Sequence, residues 1–430
     1  MTTNRRVVIT GMSVNTVLGD TLEDFLNSLL AGRSAIDRWK AFDTSEIDVK
    51  IGGDLSGYEI ALKISGLKGR APDDVIERIE RIFPISPWST QLSTLLAVDA
   101  FRDAALFSPM LDLTRVAAIV AGENLNLRYN SAVWDKFRAA PNSIDARYAL
   151  TAWDGDLSGC IADVLGIRGS LYTVSGACAS GNVGLRSAVD EIQRHGMDAV
   201  VVVGAVFDIN PALLQGFANL GALSVEQFDD EPTRASRPFD VLRQGFVAAH
   251  AGAALALEER EFALRRGARI YGEVVGVEIN SSGMRSAMPS EEDEARVLQS
   301  LLANTGTDPR EVDFVSAHAT STQKGDIAEI RALKKVFGAH VRKLKINAPK
   351  SMLGHSLVSA STVETVAAVL QMQAGMLHPS INIAQQDAEI DLDVCAGEAT
   401  PHPVRCLVKN AFGFWGINSA CLIKCFDGSR

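Results

Sequence analysis

Tyr172-Thr-Val-Ser-Gly-Ala-Cys178-Ala-Ser-Gly-Asn-Val-Gly184 is the stretch on which the reading of this chain turns. Residues 171–174 predict a short strand, Ser175-Gly176 breaks it, and residues 179–195 have helical periodicity up to Gly196. A strand, a sharp turn and a helix in that order set the Cys178 thiol at a helix N-terminus. The helix dipole and the free amides there favour thiolate, so a lowered thiol pKa is expected. The same amides suit an oxyanion formed when the sulfur attacks a thioester. Ala177, Ala179, Ser180 and Gly181 are small enough for a substrate to approach closely. The bland reading of the same residues is a small hydrophobe in a buried turn.

Three further pieces share this design. Val315-Ser-Ala-His318-Ala-Thr-Ser-Thr-Gln-Lys-Gly-Asp326 delivers a histidine from a strand end into a hydroxyl-rich loop. Asn347-Ala-Pro-Lys350-Ser-Met-Leu-Gly-His355 also leaves a strand, and Lys350 and His355 face one cleft if the Gly354 turn folds back. Strand ends bearing polar groups fit ligand binding at the carboxyl edge of an α/β sheet. Asn410-Ala-Phe-Gly-Phe-Trp-Gly-Ile-Asn418 is a glycine-interrupted aromatic loop, read as a hinge or gate or else as a turn with packed phenylalanines.

Along the chain, strands are expected at 6–11, 116–121, 171–174, 199–204, 314–317, 345–348, 405–409 and 420–426, with a strand pair at 269–279. Helices are expected at 22–30, 91–105, 179–195, 291–303, 326–337 and 363–373. The wholly apolar run 199–204 fits a strand covered on both faces. The two halves repeat a similar β/α order without a Pro-rich linker, which suggests internal duplication rather than independent domains. Residues 47–62 and 128–154 read as inserted loops of the kind that carries specificity.

The chain has 430 residues, 47% apolar and 22% charged, with a net charge of −10. The balance suits a large globular core and argues against nonspecific nucleic-acid binding. Arg331, Lys334, Lys335, Arg342, Lys343 and Lys345 form a local basic group, either a patch for an acidic protein partner or a solvated helix face. The opening Met1-Thr-Thr-Asn-Arg-Arg leads into an apolar run too short for a secretory signal. Residues 199–207, the most apolar stretch, fall far short of the roughly 20 that a membrane span needs. A soluble, cytoplasmic protein is expected. Cysteines at 160, 178, 395, 406, 421 and 425 form no CxxC pair and no cluster with metal spacing, so no metal is expected. Cys421 and Cys425 read as buried structural thiols on one face of a strand.

Together the four pieces resemble the β-ketoacyl-acyl-carrier-protein synthase family of the thiolase fold, nearest its chain-elongating type II branch. The ordered set Cys178, His318-x-Thr320-x-Thr322 and Lys350-x-x-x-x-His355 carries the likeness. Val7-Val-Ile-Thr-Gly-Met12, Leu29-Leu-Ala-Gly-Arg-Ser-Ala-Ile36, Ser236-Arg-Pro-Phe-Asp240 and Gly245-Phe-Val247 extend it over nearly the whole chain. The resemblance implies an α/β, thiolase-like fold of two duplicated halves in five αβαβα layers. Residues 1–265 would carry Cys178, and residues 266–430 would carry His318, Lys350 and His355.

The resemblance further implies that Cys178 accepts an acyl group by transthioesterification. His318 and His355 would orient a malonyl thioester, assist loss of its carboxylate and stabilise the enolate oxygen. Lys350 would set the electrostatics around His318, with Glu329 as its charge partner. Thr320 and Thr322 would bond the phosphopantetheine arm, and Trp415 would shape the substrate tunnel. The amides of Cys178 and Phe414 would form an oxyanion hole, with Phe414 gating between acylation and condensation. No cofactor is implied, because the phosphopantetheine arm arrives on the substrate. The implied partners are an acyl carrier protein and a second copy of the chain in a homodimer.

The family pattern is broken in places. Ala248-Ala-His250-Ala-Gly252 lacks a carboxylate usual there, Trp415 and Ile417 replace a glycine and a threonine, and Val358-Ser-Ala-Ser361 replaces a run of small residues. Pro349 and Leu353 stand for threonines, and Gln323 for a proline. His250 is either a satisfied core residue or part of an altered site. Residues 177–184, Gly204-Ala-Val-Phe-Asp-Ile-Asn-Pro211 and Gln215-Gly-Phe217 resemble a polyketide β-branching subgroup that decarboxylates malonyl-carrier protein to acetyl-carrier protein. That subgroup typically has serine as nucleophile, whereas Cys178 is retained. The expected activity is therefore decarboxylative Claisen condensation in polyketide or fatty-acid biosynthesis. Malonyl decarboxylation is the alternative, and a non-catalytic partner subunit is a third reading that Cys178 argues against.

Overall fold

The computed structural model describes residues 5–426 and residue 428, so the first four residues of the opening segment lie outside it. Its frame is ten strands: β1 (Val7–Thr16), β2 (Val116–Ala121), β3 (Leu171–Val174), β4 (Ala199–Gly204), β5 (Ala251–Glu259), β6 (Gly272–Ser281), β7 (Phe314–Ser316), β8 (Lys345–Asn347), β9 (Cys406–Gly413) and β10 (Ile417–Lys424). They lie in the order β8-β7-β9-β10-β6-β1-β5-β4-β2-β3. β6 and β1 share only the pairs Val7–Val274, Val8–Glu273 and Ile9–Gly272, so two five-stranded sheets meet at a corner. Counted outward from that corner, each sheet runs first, fifth, fourth, second, third strand of its own half.

The helices that matter here are α1 (Leu22–Leu30), α2 (Trp88–Asp103), α3 (Ser180–Gln193), α4 (Glu291–Thr305), α5 (Gln323–Phe337) and α6 (Ala360–Ala374). Alternation along the strands sorts side chains by face. Ala118, Val120, Val201, Val203 and Ala254 join α2 in one core, while Ile119, Val200, Val202 and Leu255 join α3 and α6 in a second. Leu407, Cys421 and Ile423 close the far wall of that second core. Their neighbours Val408, Ala420 and Leu422 face a third core with α4 and α5. The molecule is thus a five-layered αβαβα structure, with α3 and α6 in the central layer between the sheets.

Several expectations shift. β1 runs past Gly11 to Thr16, with a bulge between Ile9 and Gly11. A Cβ on Gly11 would come within 2.3 Å of the Ala100 carbonyl, so close approach of α2, not a turn, requires the glycine. Residues 272–281 form one strand, not a pair. Segment 128–154 is not a loop: Leu127–Ala139 and Tyr148–Thr151 are helical. The longer of these buries no residue fully and meets the first core through Leu127. Residues 47–62 hold the strand Ile51–Gly52 and the start of the helix Ile60–Leu67. Cys425 lies beyond β10 and is exposed, while Cys421 is buried. The basic group is largely paired off: Arg331 with Glu389, Lys334 and Arg342 with Asp391, Lys335 with Glu292, and Lys345 with Asp393. Among the described residues no helix is long and apolar enough to cross a membrane.

Candidate active site

Cys178 sits in a 3-10 turn, Ala177–Ala179, between β3 and α3. Ala177 takes a left-handed φ of 50°, and the Ser180 hydroxyl clamps the turn by accepting from the Gly176 amide and donating to the Ala177 carbonyl. The placement at a helix start is as expected, but the expected consequence is not. Burial pushes the Cys178 thiol up to about 12, with the Lys350 cation pulling down and Glu364 pushing up. A sulfur so largely withdrawn from water loses more hydration of its anion than one helix terminus returns. The resting residue is a thiol.

His355 faces it, with Nε2 at 3.1 Å from Sγ. The Leu357 amide donates to His355 Nδ1 at 3.2 Å, which leaves Nδ1 without a hydrogen and puts the proton of the neutral ring on Nε2. His318 is set the same way. Lys350 Nζ, which can only donate, lies 3.5 Å from His318 Nδ1 and bonds the His318 carbonyl at 2.6 Å. The two rings stand edge to face with centroids 5.6 Å apart. Burial holds both imidazoles well below their usual pKa, and the Lys350 and Lys409 cations act in the same direction. Two neutral rings thus present Nε2–H donors in one cavity, His355 at the sulfur and His318 edge-on to His355.

Glu329 is not the ion-pair partner of Lys350. Its carboxylate accepts from the amides of His318 and Ala319, at 2.9 and 2.8 Å, and from the Asn410 side chain at 2.8 Å. From α5 it lies beneath the His318 loop and pins it. Lys350 instead pairs with Glu364 on α6, both 2% exposed. Glu364 and Lys409 were not anticipated. The signal for each was a charged residue inside a segment otherwise fit only for a core: Glu364 in the apolar run of α6, and Lys409 beside Val408 in β9.

One cavity of about 1080 Å³ is lined by Cys178, His318, His355, Thr320, Thr322, Glu329, Phe414 and Trp415 together. Lys350 lies behind this lining, in contact with His318. Thr320 and Thr322 face each other, their hydroxyls 3.1 Å apart. Phe217, Phe246, Leu357 and Val358 line an apolar part. Phe414 meets Phe217 edge-on, with centroids 6.0 Å apart. A Cβ on Gly413 would come within 3.4 Å of the Cys178 amide nitrogen, so the aromatic loop abuts the Cys178 turn. Trp415 is 49% exposed and holds a left-handed φ of 64°, its amide bonding the Ser286 carbonyl at 2.8 Å. His250 does not line the cavity. It is a core residue, edge-on to Trp39 and Trp88, with Nδ1 accepting from the Leu55 amide and 3.6 Å from Asp54. Among the described residues no group of three or more His, Cys, Asp or Glu is disposed to hold a metal.

Residues 4–263 match the N-terminal domain of beta-ketoacyl synthase, and residues 271–384 match its C-terminal domain. The polyketide biosynthesis malonyl-ACP decarboxylase PksF of Bacillus subtilis is 31% identical over 97% of this chain and 96% of that protein. The chloroplastic 3-oxoacyl-[acyl-carrier-protein] synthase I of Arabidopsis thaliana is 32% identical over 98% of this chain and 87% of its own length. Among solved structures, the ishigamide ketosynthase/chain length factor superposes with a TM-score of 0.86 at 29% identity, covering 99% of this chain and 100% of that one. With the ordered site residues, the five layers and these matches over nearly its full length, the chain belongs to the β-ketoacyl synthase family.

Proposed function

We propose that this ketosynthase carries out decarboxylative Claisen condensation, joining an acyl group held on Cys178 to a malonyl unit delivered by an acyl carrier protein. The observation that carries the reading is the convergence of one thiol and two neutral Nε2–H donors on a single cavity. In the first step the sulfur attacks the acyl thioester. Its proton leaves with the departing pantetheine thiol, and the amides of Cys178 and Phe414 hold the oxyanion. In the second, His318 and His355 donate to the malonyl thioester oxygen. The carboxylate leaves as carbon dioxide, and the enolate carbon attacks the acyl-Cys178 carbonyl, expelling the sulfur as a thiolate that takes one proton from solvent to restore the thiol. Neutral imidazoles suit this step, because the donors must bind developing negative charge without first requiring protonation. Lys350 and Glu329 hold the His318 loop. Thr320 and Thr322 bond the pantetheine arm, which makes a separate cofactor unnecessary.

The exposed edge strand β3 and the exposed Trp134, Leu150 and Trp153 of segment 128–154 support a homodimer. The shared strand order supports residues 1–265 and 266–430 as two copies of one unit. A cytoplasmic location fits enzymes of this kind. Malonyl decarboxylation without condensation remains the second reading, favoured by the likeness to PksF and by the strained Trp415 in the aromatic loop.

The test is carrier-protein mass after incubation with malonyl-carrier protein, with and without an acyl donor. Condensation predicts a β-ketoacyl product that is lost in Cys178→Ala. Donor-independent acetyl-carrier protein that survives Cys178→Ser replaces it with the decarboxylase.

A further inference from the structure

Behind the imidazoles lies buried charge that the steps above leave unused. Lys409, in β9, is 0% exposed. Its Nζ is 3.7 Å from Glu364 Oε2 and 3.3 Å from Asn182 Oδ1. The other Glu364 oxygen takes Lys350, which holds His318. Asn182 stands one turn after Cys178 on α3, where its side chain donates to Ser419 at 3.0 Å and its amide to Ser361 at 3.1 Å. Lys409 therefore touches both the helix that carries the nucleophile and the carboxylate that holds the histidine arm.

We propose that Lys409 is a positioning residue for condensation in the electrostatic sense: seated between Asn182 of α3 and Glu364, its charge keeps the buried quartet Lys350, Lys409, Glu364 and Glu329 neutral. This rests on the roles of Cys178, His318 and His355 proposed above. Without Lys409 the quartet is net negative beneath the place where the thiolate, tetrahedral and enolate anions form. Each anion then becomes harder to form in a site that water does not screen.

Burial draws Lys409 down to about 8, against the opposing pull of Glu364 and Cys421, with Lys350 adding to the effect of burial and Glu329 opposing it. Those are the titratable groups that face it. Cys421, pushed up to about 11 by burial, stays a thiol over the same range. Native enzyme therefore sheds the Lys409 charge as pH rises through about 8 and becomes, electrostatically, the variant that lacks it.

The experiment compares wild type, Lys409→Met and Lys409→Met/Glu364→Gln as full chains, following β-ketoacyl formation from pH 6.5 to 9.5 alongside thermal midpoints. Lys409→Met is expected to be about tenfold slow at pH 7, the effect of roughly one pKa unit on an anionic step. It should converge with wild type, within about twofold, at pH 9.5. The double variant restores neutrality and recovers most of the loss at pH 7. A merely structural lysine gives a defect independent of pH that the second substitution deepens. That result, or an unchanged Lys409→Met, overturns the proposal. If Lys409→Met does not fold, the double variant decides: loss of the alkaline step near pH 8 supports the role, and a step like that of wild type refutes it. Cys178→Ala in the same assay tests the nucleophile separately, since a product that survives it removes the condensation reading whatever Lys409 does.

Discussion

Gly413→Ala isolates the contact between the aromatic loop and the nucleophile turn. Gly413 has φ −106° and ψ 162°, an ordinary extended conformation that alanine adopts freely, so the substitution adds no backbone strain. What it adds is a methyl group 2.8 Å from the Gly176 carbonyl oxygen and 3.2 Å from the Ala177 Cβ. Carbon–oxygen contacts settle near about 3.3 Å, so the end of β9 and the turn must part by roughly half an ångström. Overpacking of this kind costs about 1–3 kcal/mol of stability. The same displacement opens the gap between the Cys178 and Phe414 amides that the acyl oxyanion is proposed to bridge. A misplacement of about 1 Å costs about 100-fold, so half of it should slow acylation of Cys178 about tenfold. The assay is intact-protein mass after mixing with acyl-carrier protein, with denaturant unfolding in parallel. Gly66→Ala is the control: its Cβ meets nothing within 4 Å, inside the helix Ile60–Leu67. It should gain about 0.5–1 kcal/mol and acylate normally. A folded Gly413→Ala protein that acylates within twofold of wild type refutes the reasoning.

Other outcomes follow from the same geometry. With its thiol pushed up to about 12, Cys178 in the free enzyme should be alkylated by iodoacetamide at a rate that climbs with pH through 9 without levelling. A plateau below pH 8.5 on the Cys178 peptide would restore the helix-lowered thiol. Trp415→Gly should be more stable than Trp415→Ala by about 0.5–1 kcal/mol, since alanine keeps the left-handed cost at φ 64° while glycine gives back part of the gain in unfolded-state entropy. Equal urea midpoints for the two would deny strain at that position. Glu329→Ala strands two backbone amides and the Asn410 side chain, and should cost about 3 kcal/mol or more in denaturant unfolding. It should slow condensation while leaving Cys178 acylation intact, and equal losses in both steps would mean that Glu329 supports more than the histidine loop.

The sequence was most readable where local pattern and tertiary demand agreed. Residues 22–30, 116–121, 171–174 and 199–204 fold at their expected bounds, because the buried strands 116–121 and 199–204, the strand cut short by Ser175-Gly176 and a capped amphipathic helix declare themselves in a few residues. The site was readable for a related reason: Cys178, His318, Lys350 and His355 each sit just past a strand, where the sheet edge forces them to one side. What stayed hidden depended on partners distant in the chain. Choosing Glu364 over Glu329 for Lys350 requires the packing of α6 against the short helix after β8, and no spacing between residues 350 and 364 reveals it. The thiol pKa departs from expectation because a helix terminus is visible in sequence and burial is not.

The neutrality of the site is itself the link between fold and reaction. Condensation creates negative charge on a thioester oxygen and removes it again, so a fixed cation touching that oxygen would bind the enolate and also slow its onward attack. Here the lysines are placed one layer back. Lys350 reaches His318 through its carbonyl and Nδ1, and Lys409 reaches Glu364. What stands around the sulfur are dipoles, the imidazole Nε2–H groups and the amides of the Cys178 turn. Lys350 fixes the tautomer of His318 as the Leu357 amide fixes that of His355, and burial, with the cations acting in the same direction, keeps the rings unprotonated. Burial that would be a liability for an isolated lysine thereby becomes the means of orienting neutral donors, and the central layer of the five, where α3 and α6 meet between the sheets, is the part of this architecture dry enough to do it.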